Sequence, residues 1–199
     1  MRIDTWPTDR AMQPVSAVFN LLTPSLDSTS PITGDAKEVE LLGARWVYSP
    51  TFPAQNPADR AKLEAWLNRL AGRVGRLRMW HPGRVLPKGT LRGSPLTVGT
   101  TAQHARQVTL AATNGKTLLM GDMIGVGGQL NQVSDDCVAS GGQIIVPLVV
   151  PMRAQVAGGT AVVLDRPTAL FALPNTGVPV PYAPGICPPF AVDLIERFA

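Results

Sequence analysis

Cysteine is scarce in this chain of 199 residues. Cys137 and Cys187 stand fifty positions apart, outside any Cys-x-x-Cys pair, which excludes a disulfide framework and a structural zinc site and leaves two free thiols. Long apolar runs are also missing. The most apolar stretch, residues 144–152 (IIVPLVVPM), has nine residues and two prolines, against the roughly 20 that a membrane-spanning helix needs. No transmembrane segment is expected. The opening MRIDTWPTDRAMQPV places charges and prolines where a signal peptide needs an apolar run, so synthesis in the cytoplasm without export is expected.

Catalytic patterns are equally sparse. The two histidines, His81 and His104, lie in a turn-like W-H-P-G and in a polar T-T-A-Q-H-A-R-Q, and neither belongs to an H-E-x-x-H or pairs with another histidine at metal-ligand spacing. No G-x-S-x-G is present. Glycoside hydrolysis needs two carboxylates facing one cleft, but the adjacent Asp135 and Asp136 would point to opposite faces of a strand and suit a hairpin end better. The glycine-rich pieces GVGG and SGG lack the Gly-Lys-Ser/Thr of a phosphate-binding loop and read as turns. The reading is a protein that is not an enzyme, with no catalytic residue, no cofactor and no metal.

What the chain does have is 45% hydrophobic residues, 19 Gly, 19 Pro and a formal charge of +4. A chain of this length can bury roughly 70% of its unfolded surface, enough for an unaided core. Either one large domain or two small ones would fit. Residues 15–22 (VSAVFNLL) are β-compatible, and the Ser/Thr/Pro-rich residues 23–34 have the composition of a loop. Residues 38–48 (EVELLGARWVY) partly alternate, and Gly43 can mark a bulge where the alternation changes face.

One helix is expected over residues 57–71. Asn56 can cap it, Pro57 suits its first position, Asp59 complements the dipole, and Leu63, Trp66, Leu67 and Leu70 form one buried stripe. Gly72 or Gly75 can end it. Residues 76–80 (RLRMW) then read as a strand and residues 81–95 as a turn-filled excursion. Beyond that, strands are expected at 96–98, 107–112, 117–119, 123–126, 130–133, 143–150, 160–164 and 170–173. Breaks such as Asn114-Gly115, Gly127-Gly128 and Gly158-Gly159 separate them, dipeptides that tolerate the positive φ of hairpin turns. The fold class is therefore mainly β (α+β), a β-barrel or β-sandwich of many short antiparallel strands with one substantial α-helix. It is read as one unit over 1–199 or as an N-terminal β part (1–80) and a β-barrel (96–175). The expected core is Leu63, Trp66, Leu67, Leu70, Leu77, Met79, Ile144, Val146, Leu148, Val162, Leu164 and Phe171.

Charge is unevenly spread. Arg60, Lys62, Arg69, Arg73, Arg76, Arg78, Arg84, Lys88 and Arg92 are nine of the 18 basic residues, set against Glu64 alone, for a local charge of about +8. Such a patch suits an acidic protein surface or nucleic acid. Base stacking would need exposed aromatics beside it, and Trp66 belongs to the helix's apolar stripe, so direct nucleic-acid binding is disfavoured.

Three segments carry a family resemblance. They are AKLEAWLNRLAGRVGRLRMWHPGRVLPKG, with its order of helix, basic strand, W-H-P and turn; GDMIGVGGQLNQVSDD, a strand-turn-strand; and GGQIIVPLVVPMRAQVAGGTAVVLDRPTALFAL, two strands about a Gly-Gly turn closing at Phe171. Over roughly residues 56–175 the chain resembles the distal tail proteins, tail-tip structural proteins of long-tailed (siphovirus-like) bacteriophages. The resemblance implies a virion protein forming a homo-oligomeric ring, commonly a hexamer, between the tail tube protein and the hub or baseplate proteins. It implies no catalytic residue and no cofactor. A ring subunit needs two different complementary faces, for which the basic stretch and acids such as Asp135, Asp136 and Asp165 offer one pairing. The alternatives are another tail or connector ring, such as a tube terminator, and a basic nucleic-acid-binding β-barrel module.

Overall fold

The structure is a computed structural model that describes residues 2–29 and 34–198. In chain order the first elements are β1 (Ile3–Thr5), a 3-10 turn (Arg10–Met12), β2 (Ser16–Leu22), β3 (Ser25–Thr29), β4 (Ala36–Glu40), β5 (Arg45–Phe52), helix α1 (Pro57–Arg69) and β6 (Arg76–Trp80). Seven short strands follow: β7 (Gln107–Ala111), β8 (Thr117–Leu118), β9 (Met123–Val126), β10 (Gln129–Gln132), β11 (Cys137–Val138), β12 (Gln143–Pro147) and β13 (Val162–Val163). The chain closes with β14 (Thr168–Ala172), β15 (Phe190–Ala191) and β16 (Leu194–Glu196). The fold is mainly β with one helix, and no closed barrel forms among the described residues. Strands fall instead into one seven-stranded sheet and four smaller ones.

The chain divides into two compact units. One comprises the segment up to Arg78 with Leu170–Arg197, and the other is Met79–Ala169 with Phe198. The first unit is organised by β5, whose residues alternate between half-buried and buried. Trp46, Tyr48 and Phe52 point into the core, where Trp6 stacks on Phe52 at 6.3 Å and meets Trp66 of α1 edge-on at 5.2 Å. Burial pushes the Tyr48 phenol up to about 12. Antiparallel partners flank β5, with β2 on one side and β16 and β15 on the other. The buried Glu196 carboxylate accepts the Trp46 backbone N–H at 3.0 Å, pinning β16 against β5.

Helix α1 begins as expected: the Asn56 side chain accepts the Asp59 N–H at 2.8 Å, and Pro57 occupies the first turn. It ends earlier than expected, at Arg69, because Ala71 and Gly72 turn to positive φ (49° and 59°). Two glycines make this exit. A Cβ on Gly72 would stand 2.8 Å from the Thr176 carbonyl oxygen, and one on Gly75 would stand 2.0 Å from that of Leu70.

Residues 23–34, expected as a loop, contain β3, which pairs with β4 in a hairpin. The β2–β5 ladder runs to Leu22 opposite Arg45, and the β3–β4 ladder starts with Ser25 opposite Glu40, so the returning limb carries two extra residues at the junction. Gly43 lies in that bulge at φ 125°, as its sequence context suggests.

In the second unit β9, β10 and β13 form a three-stranded sheet, while β7 pairs with β12 and β8 with β11. Gly127 and Gly128 turn β9 into β10 with both φ positive, and Val126 faces Gln129 across the turn. Leu110, Leu118, Ile124, Val126, Val146 and Val162 build its core, each fully buried. Residues 96–98, expected as a strand, make only isolated bridges from Leu96 to Ala161 and Thr97 to Leu110. All twelve residues expected in the core are buried.

Polar pins hold the irregular parts. The buried Asp122 carboxylate accepts three backbone N–H groups, from Lys88 at 2.6 Å, Leu119 at 2.9 Å and Gly89 at 3.1 Å. Asn131, wholly buried, spans the Val150 peptide with both ends of its amide. These bonds replace the ladder bonds that loop backbone lacks.

Candidate functional site

The basic stretch is mostly occupied with the chain's own carbonyls. Arg60 is fully buried; its Nη2 donates to the Pro188 oxygen at 2.6 Å, and its guanidinium lies 4.5 Å from the Phe190 ring centre. It belongs to the core rather than to a surface patch. Arg73 donates from Nε to the Pro174 oxygen. One nitrogen of Arg76 reaches the oxygens of Arg73, Gly75 and Val74 at 2.7, 3.0 and 3.2 Å. Arg84 donates to Gly121 at 2.9 Å, and Arg92 to Gly89 and Leu91. Arginine suits this work, since its planar fork can satisfy several acceptors at once.

Two cations pair with carboxylates. Arg69 meets Asp4 at 2.7 Å, and that bond, helped by Arg2, holds the Asp4 carboxyl below its ordinary range despite burial. Lys62 meets Asp59 at 3.4 Å. Glu64, the only acid within the stretch, accepts the Tyr182 hydroxyl at 2.6 Å, a bond that raises the phenol's pKa. Arg78 and Lys88 are exposed, and their side chains bond to no other described residue. The nine residues therefore divide into guanidinium groups that tie loops down and a smaller set of free surface cations.

The other sequence candidates also have local work. His81 Nδ1 accepts the Gly83 N–H at 3.1 Å within its turn, and desolvation followed by the Arg84 charge lowers its pKa. His104 is exposed at φ 65°, and its backbone N–H donates to Met152. Asp136 accepts the Met120 N–H at 2.7 Å and Asp135 accepts the Ser134 hydroxyl at 2.8 Å, both in the connection from β10 to β11, which pair with β9 and β8 and form no hairpin with each other. Among the described residues no group of three or more His, Cys, Asp or Glu stands together as metal ligands. Among the described residues no helix is long and apolar enough to cross a membrane.

Sequence reasoning missed the most exposed feature of the first unit, the β3–β4 hairpin. Every residue of β3 is exposed, and Leu26 (60% exposed) stands directly opposite Val39 (58%). Ser28 and Lys37 share that face; Asp27 opposite Glu38 and Thr29 opposite Ala36 form the other. The available signal was the polar-apolar-polar alternation of S-L-D in β3 mirrored by E-V-E in β4, masked by the surrounding Ser, Thr and Pro. Comparison of the sequence with family models and with curated proteins finds no match.

Proposed function

We propose that the chain is a structural subunit of a bacteriophage tail tip, assembling into a ring that joins the tail tube to the hub and receptor-binding apparatus. What supports this reading is the way the first two of the three resembling segments fold. The first is α1, a glycine exit and the basic strand β6, ending at Trp80 before the His81-Pro82 turn. The second is the β9–β10 hairpin about Gly127-Gly128. The third runs through β12 and β13 to β14, where Phe171 is buried. The first two stretches fold with the element order expected of them, whereas in the third β12 pairs with β7, β13 with β9, and β14 with β6 and β16, so no single hairpin forms about Gly158-Gly159.

The work of such a subunit is mechanical: shape and charge complementarity at its contacts, and a lumen for what passes down the tail. Guanidinium groups spent on loop carbonyls fit a part that must hold irregular backbone in place. They fit a continuous phosphate-binding surface less well, since that needs its cations free. Negative-stain electron microscopy of the purified chain tests the reading. Closed rings with a central opening are the expected result. Compact single subunits at every concentration, with DNA binding that falls steeply with salt, would overturn it in favour of a nucleic-acid-binding module.

A further inference from the structure

We infer that β2 is the edge by which two copies of this chain pair, strand against identical strand, continuing the first unit's sheet from one molecule into the other. Among the described residues β2 has a single ladder partner, β5, so its other side is an open edge. Proteins guard such edges by shortness, charge, proline or a bulge. The other ends of this sheet are guarded: β1 has three residues and includes Asp4, and β15 has two. The β3–β4 ribbon beyond β2 carries Asp27, Lys37 and Glu38. β2 has none of these devices. Its seven residues (SAVFNLL) hold no charge, no proline and no glycine, and its ladder with β5 is unbroken from Ser16 to Leu22.

The order of the side chains names the occupant. Phe19 packs on the covered face against Trp46, Tyr48 and Phe171, so Val18, Asn20 and Leu22 line the opposite face. All three are exposed, Val18 by 62% and Leu22 by 48%. This apolar, polar, apolar triplet matches itself when run antiparallel. With Asn20 opposite Asn20 of the second copy, Val18 meets Leu22 and Leu22 meets Val18, an apolar contact on each side of an amide pair. Phe19 and Leu21 exchange partners in the same way on the other face. Pro24, which has no N–H to give, falls opposite Ser16 and ends the ladder. Centring the pair on Phe19 instead would set Val18 against Asn20 and Leu22 against Ser16, and centring it on Val18 would set Leu22 against Pro14. Two identical uncharged strands meet without repulsion, and each residue contacts the one that contacts it, as a two-fold contact requires. Such a contact joins copies two at a time. It is therefore separate from the head-to-tail contacts of the proposed ring, and either can fail without the other.

The test is disulfide trapping on the full chain under copper phenanthroline, using V18C, N20C and L22C, with the wild type as background for the native thiols and thermal melts to confirm folding. Directly opposed cysteines lie within disulfide reach, whereas Val18 and Leu22 would each stand roughly 13 Å along the ladder from their own counterparts. N20C is expected to give linked dimers at least about tenfold faster than the wild type, at a rate that rises with concentration and is unchanged by salt. V18C and L22C are each expected to stay near the wild type alone and to link to one another when mixed. Adding V18K and L22K to N20C sets lysine against lysine and is expected to slow trapping by about tenfold. Equal trapping with the lysines present would mean random collision and overturn the pairing. No variant, alone or mixed, linking faster than the wild type overturns it as well, and V18C linking to itself faster than N20C overturns the register.

Discussion

Asp122→Asn replaces one carboxylate oxygen by an amide nitrogen at a place where only acceptors fit. The carboxylate is buried, and its two oxygens take the N–H groups of Lys88, Gly89 and Leu119. In the best rotamer the asparagine oxygen keeps the Gly89 and Leu119 bonds, while the new NH2 confronts the Lys88 N–H that was bonded at 2.6 Å. That loses one charge-assisted bond, leaves a buried donor unpaired and weakens the other two bonds, for a cost of about 2–4 kcal/mol. Asp122→Ala exposes all three donors and is expected to cost about 3–6 kcal/mol. Urea unfolding followed by tryptophan fluorescence measures both, with exposed Asp165→Asn as a control expected to stay within about 0.5 kcal/mol. A cost below about 1 kcal/mol for both Asp122 variants would refute the view that this carboxylate fixes the loop of residues 81–95.

Three further outcomes are expected. Gly75→Ala drives a Cβ to 2.0 Å from the Leu70 carbonyl oxygen and is expected to lower stability by about 2–4 kcal/mol in the same denaturation assay. The Asp4 carboxyl is held low by Arg69 and Arg2, so its ion pair stabilises the fold above the unfolded carboxylate value of about 3.9 and loses that contribution as pH falls below it. Thermal melts between about pH 2 and 7 are expected to show Asp4→Asn less stable than wild type at neutral pH, with the gap closing in acid. In thiol titration at about pH 8, Cys137, half-buried with its thiol pushed up by desolvation, is expected to react slowly. Fully buried Cys187 is expected to react only on unfolding.

Where the sequence carried a strong period, the fold was legible. The Leu63, Trp66, Leu67 and Leu70 stripe, its Asn56 cap and the Gly-Gly hairpin of β9 and β10 were readable because each depends on neighbours in sequence. Gly43 marked its bulge for the same reason. The last two strands, β15 and β16, were not legible. β16 holds its place through the Glu196 carboxylate on Trp46, 150 residues away, a contact no local pattern announces. Nor could composition divide the nine basic residues. Arg60 and Arg78 read alike in sequence, yet one is buried under Phe190 and the other faces solvent. The β3–β4 hairpin stayed hidden because its alternation covers only three residues in each strand, set among Ser, Thr and Pro, and an exposed ribbon has no buried face to extend it.

The most direct test of the tail-ring account is the mass of the chain in solution, by light scattering on a size-exclusion column at two salt concentrations. The account expects a discrete assembly of several subunits, about six, with closed symmetry, and less of it at the higher salt if charge holds the contacts. A single-chain mass of 21.1 kDa at both salts would contradict it.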